Sequence, residues 1–355
     1  MNSYRLSQLC EILDQHGFRA SLEGEDLPIK AINTLESASA GELSFLSNEK
    51  YLKAVAETDA SAIICKDGVS IPPGKSAIRI DDPYAALAVA IIALYGYRRH
   101  PQWGVSDRAN IHETAQIGSH LNIAAGATIA EGAVLGDNCT IYPGCYIAKD
   151  ARIGHDCTLF PNVVIYDGCV LGDRCTIHAG SVIGQDGLGF APHEGKWVKI
   201  PQIGNAVLGD DVEIGANCSI DRATLGSTEV HSGTKFSDNV TIGHGCKIGE
   251  HCLFVGQVGL AGSVNVGRHV TLAGQVGLAG HQTIGDHAVV AAQAGVVGDL
   301  EGGKTYFGSP AVPITEAHRS HTAMRKLPQW FKRIKALEKE VAELRKLTGA
   351  EKPLS

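Results

Sequence analysis

Two of the fifteen histidines stand among small residues, where an imidazole has room to act on a ligand. His244 occurs in the run Ile-Gly-His-Gly and His281 in Leu-Ala-Gly-His, 37 residues further on. Histidine exchanges a proton readily near neutral pH, so both are candidate general bases. The glycines and alanines around them would leave a groove with exposed backbone N–H groups, which suits a slim flexible ligand and a developing oxyanion.

The residues next to His244 do not identify it as the base by themselves. Ile153-Gly154-His155 repeats the same local pattern. From spacing alone, a turn histidine without a chemical role is therefore the alternative interpretation for His244.

A second group of histidines is spaced by 18 residues, at His251, His269 and His287. A zinc site built from their imidazoles is one interpretation. The alternative, which we favour, is a ladder of exposed corner residues stacked about 4.8 Å apart, the distance between neighbouring strands.

The chain has ten cysteines, and eight of them occupy one kind of position, four residues after a large apolar residue. Other repeats carry a small residue there. The eight are Cys139, Cys145, Cys157, Cys169, Cys175, Cys218, Cys246 and Cys252. Free cysteine packs as a small apolar side chain, so we predict buried thiols rather than disulfides, a redox site or a metal site.

A six-residue period must position all these side chains. From Ile111 to Ile183 every sixth residue is Ile or Leu, a second apolar run extends from Val230 to Val296, and a short third phase covers Leu208 to Ile220. No helix has this period, whereas one short strand followed by one corner does. Such a repeat cannot bury its apolar face alone, so the period predicts a stacked β-solenoid over residues 105–312.

Two further segments lack the period. Residues 1–100 predict a small α/β domain, with a helix from Pro83 to Tyr97 that Asp82 caps. Residues 184–202 predict a loop ejected from the coil. A solenoid does not need such a loop for stability, so a functional role is favoured over an inert insertion.

Residues 314–355 predict a helical tail. Its apolar residues alternate spacings of three and four, which favours a coiled-coil seam and self-association over a helix packed on its own subunit. The seam residues are Ile334, Leu337, Val341 and Leu344. No acidic residue occurs from Ala317 to Leu337, where several Arg and Lys residues lie. This basic stretch suits an acidic partner, and a solvated helix face is the alternative.

Composition excludes several classes of partner. The net charge of −7 argues against general nucleic-acid binding. The longest apolar run, Ala85 to Tyr95, is too short to cross a bilayer, and Met1 to Leu13 lacks the pattern of a signal peptide. We therefore predict no nucleic-acid partner, no transmembrane segment and a cytoplasmic location.

Four segments carry a family resemblance: Asp186–Pro192, Gly195–Gln202, Gly209–Asn217 and Ile220–Arg222. They resemble UDP-3-O-(3-hydroxyacyl)glucosamine N-acyltransferases of lipid A biosynthesis, and the likeness extends over nearly the whole chain. It implies a mainly β fold, a left-handed parallel β-helix of hexapeptide repeats with three repeats per coil, a small N-terminal α/β domain and a C-terminal helical tail. It also implies a homotrimer with active sites between subunits.

The resemblance implies transfer of a 3-hydroxyacyl chain from acyl carrier protein to the 2-amine of UDP-3-O-acylglucosamine. His244 matches the family's general base, Gly262 the residue whose N–H faces the oxyanion, and His281 a second active-site histidine. The basic tail would then meet the acidic carrier protein. No metal or resident cofactor is implied, because the phosphopantetheine arrives on the carrier protein.

Three residues of the first domain, Phe45, Asn48 and Tyr51, match the family's uridine-contacting positions. An aromatic pair can hold uracil by stacking, and an asparagine can read its amide edge. Without the resemblance, Phe45 and Tyr51 would be interpreted as core residues.

Around His244 the chain departs from the family pattern. The family has Asp, Gln and Asn where this chain has Ser237, Thr241 and Gly245, and it prefers Gly at Ala223. These changes keep two alternatives open: a divergent hexapeptide acyltransferase with another nucleotide-sugar acceptor, and a binding solenoid without catalysis. The 18-spaced histidines keep open a third, a zinc hydratase of the same fold.

Overall fold

The computed structural model describes residues 3–348. The chain forms two compact units, one ending at His100 and the other beginning at Pro101. Each unit has an apolar core of its own. The predicted fold class is confirmed, because an α/β unit comes first, hexapeptide coils follow, and a long helix comes last.

The first unit is built on a five-stranded sheet. In spatial order its strands are Ser21–Glu23, Ser76–Arg79, Ala62–Cys65, Glu42–Phe45 and Ala31–Ile32. The last four run parallel, and Ser21–Glu23 is antiparallel to its neighbour. A separate antiparallel pair joins Tyr4–Arg5 to Pro28–Ile29. Every residue of Ala62–Cys65 is fully buried, which explains its unbroken apolar sequence.

Four helical segments accompany this sheet. They are α1 (Leu6–Gln15), a single 3₁₀ turn (Glu49–Tyr51), α2 (Leu52–Glu57) and α3 (Pro83–Tyr95). The predicted cap of α3 is confirmed, because the Asp82 carboxylate accepts hydrogen bonds from the N–H groups of Tyr84 (3.1 Å) and Ala85 (3.0 Å). This cap fixes the start of α3, and with it the position of Tyr84.

The second unit consists of three parallel sheets, to each of which a coil contributes one short strand. The first sheet contains Asn110–Ile111, Thr128–Ile129, Tyr146–Ile147, Val164–Ile165, Val182–Asp186, Ser219–Arg222, Thr241–Ile242, Gly259–Leu260, Gly277–Leu278 and Gly295–Val296. The second contains Gln116–Ile117, Val134–Leu135, Arg152–Ile153, Val170–Leu171, Asn205–Leu208, Ser227–Val230, Lys247–Ile248, Asn265–Val266 and Thr283–Ile284. The third contains Asn122–Ile123, Thr140–Ile141, Thr158–Leu159, Thr176–Ile177, Glu213–Ile214, Lys235–Phe236, Leu253–Phe254, Thr271–Leu272, Val289–Val290 and Thr305–Phe307, with Val312–Pro313 added antiparallel.

The chain turns from the first sheet to the second at the first corner, from the second to the third at the second corner, and back at the third corner. Most paired residues are 18 positions apart, as Ile165 and Ile183 are, so three repeats make one coil. The register lengthens to 37 between Ile183 and Ile220 and to 22 between Ile220 and Ile242. The phase changes in the sequence therefore mark residues inserted at corners rather than interruptions of the stack.

The extra residues of the longest insertion form a β-hairpin at the first corner. Phe190–His193 pairs antiparallel with Lys196–Lys199, and Glu194 and Gly195 turn with positive φ angles. The predicted ejection of residues 184–202 from the coil is thus observed. Gln202, buried at the base, accepts a hydrogen bond from the Thr224 hydroxyl at 2.8 Å and donates one to the Ile200 carbonyl at 2.9 Å. These bonds hold the hairpin base in one conformation.

The three 18-spaced histidines form a stacked column at the second corner. The ring centroids of His251 and His269 are 5.2 Å apart, and those of His269 and His287 are 4.9 Å apart. Rings that lie face to face direct their nitrogens into separate planes. Within residues 3–348, no group of three or more His, Cys, Asp or Glu side chains has an arrangement that could hold a metal ion.

All ten cysteines are buried and unpaired, as predicted for packing residues. Thiols in the solenoid donate to carbonyls of the next coil: Cys139 to Gly154 (3.1 Å) and Cys246 to Ala261 (3.2 Å). Burial raises the pKa of the Cys246 thiol to about 11. Sulfurs such as these therefore donate to backbone carbonyls, and the Cys246 thiol stays protonated at neutral pH.

The last helix, α4, spans Ile314–Thr348. Its beginning packs on the end of the solenoid, where Ala317 is buried and the rings of Phe307 and His321 lie 5.5 Å apart. The four seam residues, by contrast, are exposed within residues 3–348. The predicted tail extends to residue 355, and residues 349–355 lie outside the described part. No helix between residues 3 and 348 has the length and apolar character to cross a membrane.

The burial of the thiols predicts their reactivity. At pH 7 the native protein should react with Ellman's reagent at essentially none of its ten cysteines, because all ten thiols are buried and the reagent cannot reach them. After denaturation all ten should react. A single thiol that reacts rapidly in the native protein and disappears in a Cys246→Ala variant would contradict this account.

Candidate active site at the first corner of the solenoid

The structure brings the three residues predicted for catalysis to one corner. His244 follows strand Thr241–Ile242, Gly262 follows Gly259–Leu260, and His281 follows Gly277–Leu278. His244 and Gly262 occupy the same position in successive coils, and His281 lies one position later in the third. Backbone hydrogen bonds tie these turns together: Ser263 N–H donates to the His244 carbonyl (2.9 Å), and His281 N–H to the Gly262 carbonyl (3.1 Å). The corner thus forms a column of stacked turns.

Two glycines lie against the imidazole of His244. A Cβ atom on Gly262 would lie only 2.6 Å from the His244 Nε2, and one on Gly187 would lie 2.8 Å from the His244 Cβ. Real Cβ atoms do not approach other heavy atoms so closely, so only glycine leaves the ring its place. His244 is therefore held half-buried between the hairpin base and the next coil.

Gly262 also presents a backbone donor at this place. The N–H groups of its neighbours Ala261 and Ser263 donate to carbonyls of adjacent coils, whereas the Gly262 N–H has no acceptor within residues 3–348. A free N–H group beside a base is the arrangement that stabilises a developing oxyanion. Turn positions of other coils also have an N–H group without an acceptor. The Gly262 N–H differs from them because glycine has no side chain to cover it.

A carboxylate, that of Asp221, is the next element of the site. Asp221, in strand Ser219–Arg222, accepts a hydrogen bond from the Gln185 side-chain amide at 3.0 Å, and the same amide donates to the Ser219 hydroxyl. Burial raises the pKa of the Asp221 carboxyl, while the Gln185 bond and the charge of His244 oppose that rise. Asp221 therefore lies within electrostatic reach of His244.

Arg222, next in sequence, fixes the point where the hairpin leaves the coil. Its almost fully buried guanidinium donates to the Gly184 carbonyl (2.6 Å) and to both carboxylate oxygens of Asp167 (3.0 and 3.2 Å). A planar fork meeting a carboxylate in this way is a strong, directional contact. It holds Gln185 and Gly187 in register with Asp221 and His244.

The hairpin itself exposes apolar side chains beside this site. Leu188, Phe190 and Trp197 line a pocket of about 350 Å³. Leu188 is 85% exposed and Trp197 73% exposed. Exposed apolar residues at this density indicate a surface that contacts another apolar group.

The residues that depart from the family pattern occupy defined positions in the solenoid. Gly245 adopts φ +69° in the turn after His244, and its N–H donates to the Thr228 hydroxyl at 2.8 Å. Thr241 points outward from the first sheet. Ser237 lies at the third corner, where its neighbour Asp238 accepts a hydrogen bond from the Ala216 N–H at 2.7 Å. Ser237 and Asp238 thus lie at a different corner from His244.

In the first unit, the structure places two of the three predicted uridine residues in one pocket. Phe45, half-buried, and Tyr51, 44% exposed, line a pocket of about 350 Å³. Asn48 caps the 3₁₀ turn by accepting a hydrogen bond from the Lys50 N–H at 3.0 Å, and it faces the neighbouring depression. The aromatic pair is brought together as the sequence suggests, and the amide is not.

A groove on α4 collects part of the predicted basic stretch. It is lined by His318, Arg319, Thr322, Ala323, Lys326 and Trp330. The groove joins three basic side chains to one aromatic ring, which suits an acidic partner with an apolar contact point.

Sequence reasoning missed four residues of these two sites. Asp221 lay inside a recognised segment and Gln185 inside the predicted loop, and neither was assigned a role. Their side chains are 36 positions apart, so their contact could be predicted only if the length of the insertion in the coil were known. Glu36 and Tyr84, which line the pocket of Phe45 and Tyr51, had no motif.

Comparison with known proteins agrees with this geometry. Residues 26–92 match the family model described as UDP-3-O-(3-hydroxymyristoyl) glucosamine N-acyltransferase, LpxD. Residues 109–149 and 150–185 match the bacterial transferase hexapeptide model.

Three relatives named UDP-3-O-acylglucosamine N-acyltransferase cover most of the chain. The protein of Syntrophotalea carbinolica is 53% identical over 88% of this chain and 91% of its own length. That of Oleidesulfovibrio alaskensis is 55% identical over 92% and 95%. That of Nitratidesulfovibrio vulgaris is 50% identical over 98% and 99%. The chain therefore belongs to the UDP-3-O-acylglucosamine N-acyltransferase family.

Proposed function

We propose that the protein transfers a 3-hydroxyacyl chain from acyl carrier protein to the 2-amine of UDP-3-O-acylglucosamine, a step of lipid A biosynthesis. The observation that carries the proposal is the placement of the His244 imidazole directly against Gly262, whose N–H is free within residues 3–348. A general base and an oxyanion donor within one corner are the two groups that acyl transfer from a thioester requires.

In this mechanism the amine nitrogen attacks the thioester carbon while His244 accepts the proton that the nitrogen loses. The carbonyl oxygen becomes an oxyanion, which the Gly262 N–H stabilises. Asp221 stabilises the imidazolium that forms on His244. Collapse of the tetrahedral intermediate breaks the carbon–sulfur bond, and the proton on His244 passes to the leaving thiolate. His281, one coil beyond Gly262, orients or polarises the reacting groups.

The phosphopantetheine arm of the donor arrives on the carrier protein, so the proposed reaction uses no resident cofactor and no metal. We also propose that the reaction takes place in the cytoplasm. The first unit takes the uridine end of the acceptor in the pocket of Phe45 and Tyr51. The exposed seam of α4 and the apolar hairpin are surfaces suited to subunit contacts in a homotrimer.

The contact between Gly262 and His244 supplies a test of this mechanism. A Gly262→Ala variant should lose about 10²-fold in acyl-transfer rate, because the new methyl group must displace the imidazole. The solenoid should remain folded, since only a side-chain end has to move. Gly298→Ala is the matched control, because a Cβ there meets open space. Full activity of Gly262→Ala would contradict the proposed placement of the base.

The buried carboxylate gives a second prediction, measured by transfer rate and by thermal unfolding. Asp221→Asn should lower the transfer rate by about tenfold or more, because the imidazolium loses its charged neighbour. Burial raises the Asp221 pKa above its usual 3.8, so the folded state holds the charged form less well than the unfolded state. The contribution of this carboxyl to stability is therefore complete at a pH below its unfolded-state pKa. It is lost as the pH rises through the higher pKa of the folded state.

The amide that replaces this carboxyl cannot ionise, so the Asp221→Asn variant should melt at a temperature equal to or above that of wild type at neutral pH. Asp186→Asn is the control, since Asp186 pairs with Lys199 at 2.9 Å, and its activity should stay near that of wild type. A destabilised Asp221→Asn variant with unchanged activity would show a purely structural carboxylate.

The basic groove of α4 predicts how the donor docks. Replacing Arg319 and Lys326 together by Glu should raise the KM for acyl carrier protein about tenfold at low salt, because like charges then oppose an acidic partner. Lys346→Glu, near the other end of α4, should leave the KM unchanged. Equal effects of the two changes would contradict a docking site in the groove.

A further inference from the structure

A β-bulge marks the point where the inserted hairpin leaves the coil. Ile183 pairs with Ile220 of the next coil. The following pair joins Gln185 to Asp221, so Gly184 is an extra residue without a partner in the ladder. A slip of one residue turns the side chains that follow to the other face of a sheet, and bulges next to active sites redirect side chains in this way. Gln185 consequently lies beside Asp221 on the outer face of the sheet, whereas the unbroken alternation would have turned it into the solenoid.

Glycine is required at this bulge. Gly184 has φ +91°, in the left-handed region that residues with a side chain rarely adopt, and a Cβ atom on it would overlap the Cys169 sulfur. Its carbonyl accepts a hydrogen bond from the Arg222 Nε–H at 2.6 Å, and Arg222 is itself buried. The bulge is therefore held from both sides, and the direction of Gln185 is fixed with it.

The Gln185 amide donates to two residues of the neighbouring strand. Its Nε2 donates to the Ser219 hydroxyl and, at 3.0 Å, to Asp221 Oδ1. A side-chain amide nitrogen has two N–H donors, so both are in use and the plane of the amide is set. Within residues 3–348 this is the only hydrogen bond that the Asp221 carboxylate accepts. The orientation of the carboxylate thus depends on one side chain.

The bulge also lies next to the proposed base. Ile220 pairs with Ile242, so Asp221 is one residue past this pair in its coil and His244 two residues past it in the next coil. Gly187, from the same insertion, packs on His244, since a Cβ atom on Gly187 would lie 2.8 Å from the His244 Cβ. The first residues of the insertion therefore run alongside both groups. A charge that is already oriented needs no rearrangement when a proton arrives on the imidazole.

Resting on the proposed acyl transfer, we propose that Gln185 is a positioning residue of the reaction, whose amide holds the Asp221 carboxylate in one orientation within electrostatic reach of His244. Gln185 acts only through this carboxylate. The same hydrogen bond favours the charged form, because it lowers the pKa of Asp221 against the rise that burial causes. Gln185 thereby keeps available the charge that stabilises the imidazolium of the proposed mechanism.

The test is a double-mutant cycle, measured by steady-state acyl transfer with the full-length protein. Gln185→Met keeps the length of the side chain and removes both donors. It should lower kcat about fivefold or more, and by no more than Asp221→Asn does, while the KM for both substrates stays within about twofold of wild type. In the Asp221→Asn background the same change should lower kcat no further. Gln116→Met, at an exposed amide of the second sheet, is the matched control and should leave kcat unchanged.

Gln185→Ala should give the same kcat as Gln185→Met, since both variants lack the donors. Wild-type kcat in Gln185→Met with a loss in Gln185→Ala would assign the side chain a packing role and overturn the proposal. Losses that multiply in the double variant would show an effect independent of Asp221, and a raised KM with unchanged kcat would place Gln185 in binding, so either overturns it. Wild type that transfers no acyl group would overturn the proposed function, and the positioning role with it.

Discussion

The fixed register between coils is the constraint on which the rest of the structure depends. Each residue of the regular stack lies above the residue 18 positions earlier, so a given position in the repeat becomes a column along the solenoid. Inward columns carry Ile, Leu, Val and the buried cysteines. Corner columns carry turns, and a side chain placed at a corner meets only what the next coil presents.

This constraint explains how a rigid solenoid forms the candidate active site. At the first corner, His244 stands in a column whose next member is Gly262, so the imidazole occupies space that any larger side chain would fill. The insertion that carries the hairpin leaves from the same corner, with Gly187 on the other side of the ring. Arg222 holds the base of that insertion, and Asp221 beside it provides a charge within electrostatic reach of His244. The candidate catalytic residues are thus concentrated where the repeat is interrupted by the insertion.

The fold followed from the sequence because the period is long and regular. The six-residue spacing from Ile111 to Ile183 has only one physical interpretation, and the cysteine positions followed from the same period. The capping of α3 by Asp82 could also be predicted, because capping depends only on residues that are close in sequence.

What could not be predicted depends on distances that the repeat does not set. The pairing of Gln185 with Asp221 requires the length of the inserted loop, and the local sequence of His244 is shared by His155. In the first unit no repeat exists, so the meeting of Glu36 and Tyr84 with Phe45 appears only once the sheet order is known. Asn48 shows the same limit, since its side chain serves the 3₁₀ turn and faces a neighbouring depression.

The central claim is that this corner forms an amide bond. The most direct measurement is incubation of the wild-type protein with UDP-3-O-(3-hydroxyacyl)glucosamine and 3-hydroxyacyl carrier protein, followed by mass analysis before and after mild alkali. We expect a product heavier by one 3-hydroxyacyl group, which stays attached when alkali removes the ester-linked chain. A new acyl group that alkali also removes, or no product from protein that binds the acceptor, would contradict the claim.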